Sequence, residues 1–294
     1  MARAIGETRD QVIATQAMVA DLAGKVEHLQ LANAESEARL AEVLRTVTAD
    51  EPRRRDELYA LRADDSYTLA FDDPEPLVSV VIPTYDRHEL LLERSLPSIL
   101  GQTYQNFEVV VVGDAAPPEV AAAIESLADP RISFHNLSYR GPYPVDPRAM
   151  WYVAGAPPFN DAVRRSRGAW IAPLNDDDSF RPDHLDVLLE AARRDRLEVV
   201  YGKVAVHRPD GTKVEIGEFP PAHGAFTLQT ALIHAGIAPM FPAELSDELF
   251  RLPWDWSIGL RMTRAGVRIG FVNALVADGY PSGLWLERPG ALAP

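Results

Sequence analysis

The feature that most constrains this chain is an alternation that begins near Pro76. Leu77 to Ile82 is a β-branched run stopped by Pro83, and Glu89 to Leu100 carries leucines at helical spacing. Phe107 to Val112 is a second such run, Glu119 to Leu127 a second helical stretch, and Ile132 to Phe134 a short third strand. Parallel strands cannot be joined by a tight turn and need a long crossover, which the helical stretches supply. The alternation therefore predicts a mainly parallel sheet with helices on its faces. Ligands of such sheets bind beyond the carboxyl ends of the strands, so the residues just after each run are the ones to inspect.

Pro83, Thr84, Tyr85, Asp86 and Arg87 follow the first run, Gly113 and Asp114 the second. An apolar stretch from Ala169 to Leu174 then ends in Asn175, Asp176, Asp177 and Asp178. Adjacent carboxylates repel, and each raises the others' cost of ionising, so water, a base or a cation must offset that charge. Each of these features alone is ordinary: a Tyr packs, a lone Asp caps a turn, and an acid triplet is solvated. Converging on one sheet edge, they describe a site for a nucleotide base and a divalent cation. Mg²⁺ and Mn²⁺ take carboxylate oxygens and commonly bridge to substrate phosphates.

The 43 acidic against 29 basic side chains give a net charge of -14, which repels nucleic acid and anionic lipid and excludes both as expected partners. There is no cysteine, hence no disulfide and no thiolate metal site, in keeping with a reducing compartment. The first residues lack the apolar core of a signal peptide, and no apolar run approaches the roughly 20 residues of a membrane span. The expectation is a cytoplasmic protein without a transmembrane segment.

Residues 10 to 46 hold a heptad pattern: Val12, Val19, Val26, Asn33 and Leu40 at one position, Thr15, Leu22, Leu29, Ser36 and Val43 three residues later. β-Branched residues at a, Leu at the central d positions and one Asn at a favour a parallel two-stranded coil, although Thr15 and Ser36 weaken the seam. Residues 1–48 are thus expected to form a helical dimerisation segment that makes the protein a homodimer. Residues 49–76 are polar and charged and suit a linker or short helix, 77–205 the nucleotide-binding half of a compact domain, and 206–294 its second half.

The blocks "VSVVIPTYDR", "SILGQTYQNFEVVVVGD" and "GAWIAPLNDDDSFRPDHL", in that order, resemble the signatures of the family 2 inverting glycosyltransferases, over roughly residues 77 to 275. The resemblance implies the GT-A fold, which is Rossmann-like with a mainly parallel sheet flanked by helices. It also implies a nucleotide-sugar donor, here a UDP-sugar, and a carbohydrate or other hydroxyl acceptor. By the same similarity Pro83, Thr84 and Tyr85 border the base, Asp114 contacts its polar edge, Asn160 and Asp176 complete the donor site, and Asp177 meets the metal, Mn²⁺ or Mg²⁺. Three positions depart from the pattern. Gly113 stands where the family has the first acid of an acidic pair, Asn175 stands at the first acid of the DxD motif, and Phe159 replaces an arginine before Asn160.

After Val206, the segment Pro209-Asp210-Gly211 reads as a hairpin turn. Further on, Asp255, six residues before Arg261 and followed by Ala265-Gly266, resembles the family's acceptor-side acid. It is the candidate general base, on the face of the anomeric carbon opposite the departing nucleoside diphosphate. Trp254 and Trp256 flank it and are candidate sugar contacts. No histidine lies beyond His234, so none is expected as a C-terminal metal ligand. A second reading, an inactive sugar-nucleotide-binding or scaffold protein, is motivated by Asn175 and Gly113 and opposed by the retention of Asp114, Asp177 and Asp255. A nucleotidyltransferase would place a glycine-rich basic loop after the first strand, and "PTYDRHE" is not one.

Overall fold

The computed structural model describes residues 2–280, and the chain divides into two compact units, Met1–Ala49 and Asp50–Pro294. The first is one helix of 48 residues, α1 (Ala2–Ala49), about 72 Å long at the usual rise. Val19, Leu22, Val26 and Leu29 of its heptad positions are exposed. Asn33 donates to Glu37 at 2.8 Å, and Lys25 pairs with Asp21 at 2.7 Å, the one-turn spacing of a helix surface. The side chains of Val12 and Val43 lie outside the described residues.

The second unit starts with α2 (Glu51–Arg62) and α3 (Asp65–Asp72), so the segment read as a linker or short helix is helical and packed. Leu58, Tyr67, Ala70 and Phe71 are buried, and Arg62 grips the fully buried Glu198 through both carboxylate oxygens at 2.7 and 2.8 Å. Most of the charge here is solvated, but Arg62 is committed to this buried fork.

The sheet core consists of β1 (Val78–Thr84), β2 (Phe107–Gly113), β3 (Ile132–Asn136) and β4 (Trp170–Pro173), all parallel, in the order β3-β2-β1-β4. β1 and β2 are buried on both faces, which is why they read as unbroken apolar runs. The polar exceptions close on themselves: Ser79 donates to Glu108 at 2.7 Å and accepts from the Gly168 N–H at 2.9 Å. Because the chain runs outward from β1 to β3 and returns on β1's other side at β4, a crevice opens at the carboxyl ends of β1 and β4.

The crossover after β1 is helical from His88 to Leu100, as α4 (His88–Leu90), a π turn (Leu91–Ser95) and α5 (Leu96–Leu100). Then come α6 (Pro118–Glu125), α7 (Pro147–Val153), α8 (Ala156–Arg165), the short β5 (Ser179–Phe180) and α9 (His184–Asp195). The remaining sheet is mixed: β8 (Ala231–His234) runs antiparallel to β4 and to β6 (Val199–His207), and β6 runs parallel to β9 (Ile269–Gly279). β7 (Lys213–Ile216) forms the expected hairpin with β6 around Gly211 at φ 84°. The last helix, α10 (Trp254–Ala265), ends at Gly266, left-handed at φ 85° as a helix C-terminus favours.

Candidate active site

Thr84, Asp114 and the 175–178 loop sit at the carboxyl ends of β1, β2 and β4. Hydrogen bonds join them: the Asp114 N–H donates to the Thr84 carbonyl at 2.8 Å, and the Thr84 hydroxyl donates to Asp176 Oδ2 at 2.8 Å. The sheet register makes this inevitable, since Thr84 lies opposite Gly113 and β4 ends one strand away.

Every acid of the triplet is buried and each turns to a different donor. Asp176 accepts from Thr84, Asp177 pairs with Arg87, and Asp178 accepts from the Asn175 amide and the Tyr280 N–H, both at 2.8 Å. Burial, reinforced by the Asp177 charge, pushes Asp176 and Asp178 up to about 7, and burial also raises Asp177. Asn175, where the family has an acid, thus removes one like charge and donates into the cluster; its amide also reaches Gln229 at 2.7 Å. The π turn supports the loop from below: Ser95 donates to the carbonyls of Asp178 at 2.9 Å and Asn175 at 3.2 Å, and Arg94 to that of Asp177. Arg94 also lies over the Tyr280 ring, 3.8 Å from its centre.

The divalent cation has one candidate ligand here. Among the described residues no three His, Asp or Glu side chains group as a resident ion requires; Asp178 turns to protein donors, and Asp176 gives one oxygen to Thr84 and turns the other toward Arg87, at 3.8 Å. Mg²⁺ and Mn²⁺ are often held by one or two carboxylates plus substrate phosphates, so Asp177 alone fits a cation carried in by a diphosphate, once Arg87 releases it.

On the other side of Thr84, Asp114 is nearly inaccessible. Its Oδ2 accepts from Tyr143 at 2.6 Å, whereas its Oδ1 is buried without a hydrogen-bond partner. The Arg140 guanidinium stands 3.6 Å from Asp114 and lies on the Tyr85 ring, 3.6 Å from its centre. A side chain at 113 would put its Cβ 2.4 Å from Asn136 Oδ1, and Asn136 is tied to Ala116 through its N–H and its carbonyl, each at 2.8 Å. Asn136 therefore occupies the room that the family's first acid would need.

The remaining predicted residues are placed elsewhere. Asn160 exchanges two hydrogen bonds with the Ala243 backbone, at 2.8 and 2.9 Å, and so ties α8 to the 240s loop. Pro83 lies where a Cβ on Gly155 would touch it. Asp255 is half-buried in the first turn of α10, behind a proline N-cap, and accepts from the Trp256 N–H at 2.7 Å. Trp254 donates to the Ala154 carbonyl at 2.8 Å and packs on Phe159, whose ring fills the family's arginine position. Trp256 lies 6.3 Å from the Phe226 ring. The sequence did not single out Arg94, Arg140, Tyr143 and Tyr280; Arg140 and Tyr143 are in a loop without a periodic signal, Tyr280 follows β9, and Arg94 is next to the buried Ser95 in the π turn.

Comparison with known proteins places these features in a family. The Glycosyl transferase family 2 profile matches residues 79–144 and 151–241. The chain is 30% identical over 145 residues to the succinoglycan biosynthesis protein ExoO of Rhizobium meliloti (strain 1021), covering 49% of this chain and 38% of that protein. It is 29% identical over 161 residues to a chondroitin synthase of Pasteurella multocida (strain Pm70), covering 54% of this chain and 15% of that protein. It thus spans well under half the length of these curated relatives. S. aureus TarS (residues 1–349), crystallised with UDP-GlcNAc, superposes with a TM-score of 0.51 at 18% identity over 70% of this chain and 59% of that one, a likeness of fold. No helix among the described residues is long and apolar enough to cross a membrane. With more than half of its length inside the profile, the chain belongs to glycosyl transferase family 2.

Proposed function

We propose that this protein transfers a sugar, with inversion, from a UDP-sugar to an acceptor hydroxyl. The observation that carries the reading is Asp114 Oδ1, a buried acceptor without a partner beside Tyr85, at the sheet edge where nucleotides bind in such folds. A base N–H would satisfy that oxygen, with Pro83, Thr84 and Tyr85 bordering the ring.

The acid loop is the diphosphate side. A Mn²⁺ or Mg²⁺ ion arriving with the diphosphate would meet Asp177 and act as a Lewis acid toward the leaving group. Arg94, which donates to the Asp177 carbonyl, supplies positive charge at the same loop. Asp255 is the general base: its carboxylate, in the first turn of α10, would take the acceptor's proton. Trp254 and Trp256 on either side offer apolar faces to the acceptor sugar.

A thermal-shift panel of UDP-, GDP-, dTDP- and CDP-sugars, each with and without Mn²⁺, tests the donor side. Absence of stabilisation by any of them refutes the reading, and stabilisation by one names the donor. Asp255→Asn is expected to keep donor binding while transfer falls by ~10²-fold or more, the usual worth of a positioned base; retained transfer removes Asp255 from that role. Donor binding without transfer in the unaltered protein would favour the binding-protein reading that Asn175 and Gly113 motivate. As the same proposal's assembly, α1 pairs with a second copy through its exposed Val19, Leu22, Val26 and Leu29, and Leu22→Lys with Leu29→Lys should give a monomer by light scattering.

A further inference from the structure

The Tyr143 hydroxyl is pinned from both sides. It donates to Asp114 Oδ2 at 2.6 Å and accepts the Gly155 N–H at 3.3 Å, so its proton points at the carboxylate. Burial, and then the hydrogen bond to Asp114, raise its pKa above the ordinary tyrosine value, so it stays a donor. Gly155 holds φ 82° at the start of α8, a conformation that favours glycine, and its neighbour Ala154 is held by Trp254. The loop that bears Tyr143 is therefore locked at its far end.

The carboxylate of Asp114 is left with one oxygen without a partner, Oδ1, because Oδ2 takes the Tyr143 proton and faces the Arg140 guanidinium at 3.6 Å. Guanine presents two adjacent donors, N1–H and the N2 amine, which a carboxylate satisfies with both oxygens. Uracil presents a single N–H between two carbonyls. We propose that Tyr143 is the specificity residue of the base pocket: by claiming Asp114 Oδ2 it leaves a single acceptor, which accepts a base with one ring N–H and rejects guanine. This rests on the reading of Asp114 as the base contact.

Size alone would also separate purine from pyrimidine, so the discriminating pair is inosine diphosphate and GDP, which differ only by the N2 amine. In the unaltered full-length protein, calorimetry should find inosine diphosphate bound ~10-fold or more tightly than GDP, since the buried amine has no acceptor. Tyr143→Phe takes the hydroxyl off Oδ2, leaving it facing only Arg140, and should move the inosine diphosphate to GDP ratio toward GDP by ~10-fold, with UDP affinity falling less. Both ratios are read within one protein preparation, so partial loss of folded protein does not alter them. GDP binding as tightly as inosine diphosphate in the unaltered protein overturns the inference, as does an unchanged ratio in Tyr143→Phe, and so does UDP binding with neither purine diphosphate bound by either protein, since size then decides. If UDP and all other nucleotides fail to bind, the donor reading falls, and this inference with it.

Discussion

Two acid sites flank Thr84, and they are built in opposite ways. Asp114 keeps one buried oxygen without a partner, whereas in the 175–178 loop each acid is engaged by a protein donor: Asp176 by Thr84, Asp177 by Arg87, Asp178 by Asn175 and Tyr280. An unmet buried acceptor costs about 1–3 kcal/mol, which a ligand N–H recovers on binding. A satisfied cluster offers no such return, because a cation must first replace Arg87. The base side thus offers an unmet acceptor beneath Arg140, which lies on the Tyr85 ring and must shift for a base to enter, while the diphosphate side gives up a contact already made.

The largest effect should come from removing the bare acceptor. Asp114→Ala is expected to weaken UDP by ~10- to 100-fold and to affect uridine, which has no phosphate, by the same factor. Asp177→Asn should leave uridine unchanged and remove only the Mn²⁺-dependent part of UDP binding. Calorimetry on both ligands decides it: equal losses for the two variants on uridine would erase the distinction between the sites.

A smaller effect follows from the Arg87 contact. Arg87 is nearly half exposed, at 46%, so its pair with Asp177 is screened, and exposed pairs are worth about 0.2–1 kcal/mol. Arg87→Met should lower the Mn²⁺ concentration needed to stabilise the UDP complex by roughly two- to fivefold. A higher requirement would mean that Arg87 holds the diphosphate more than it guards the acid.

The two sites also differ in how far the sequence revealed them. β1 and β2 were legible because strands buried on both faces are apolar throughout; Thr84 and Asp114 stand where those runs stop, and the acids at 176–178 follow the apolar run of β4. The β6–β7 hairpin was legible because Asp210-Gly211 supports one backbone shape. The partners were not: Tyr143 reaches Asp114 across 29 positions, Tyr280 reaches Asp178 across 102, and neither distance leaves a local pattern. β8, four residues long, carries too few alternations to be read. The helices at Glu51–Asp72 were obscured because Arg62 is charged in the sequence yet committed to a buried acid.

The last prediction, on stability and not on binding, uses a third buried acid as a control. Asp247, in the helical turn before α10, accepts from Ser257 at 2.7 Å and stands 3.7 Å from Arg261, yet burial pushes it up to about 6. Arg261 is pulled down, also by burial, so desolvation outweighs what the pair returns. The sign follows from linkage: from the ordinary value of 3.8 up to about 6, the folded protein holds a proton that the unfolded chain has lost. Stability is therefore highest below that window and falls as pH rises through it. Asp247→Asn should flatten that part of the decline in denaturation midpoints measured from pH 4 to 8. What survives should extend to about 7, where Asp176 and Asp178 titrate. A variant that keeps the whole decline would assign all of the pH sensitivity to the diphosphate side, and a variant that loses all of it would show that the acid loop is better solvated than its burial implies.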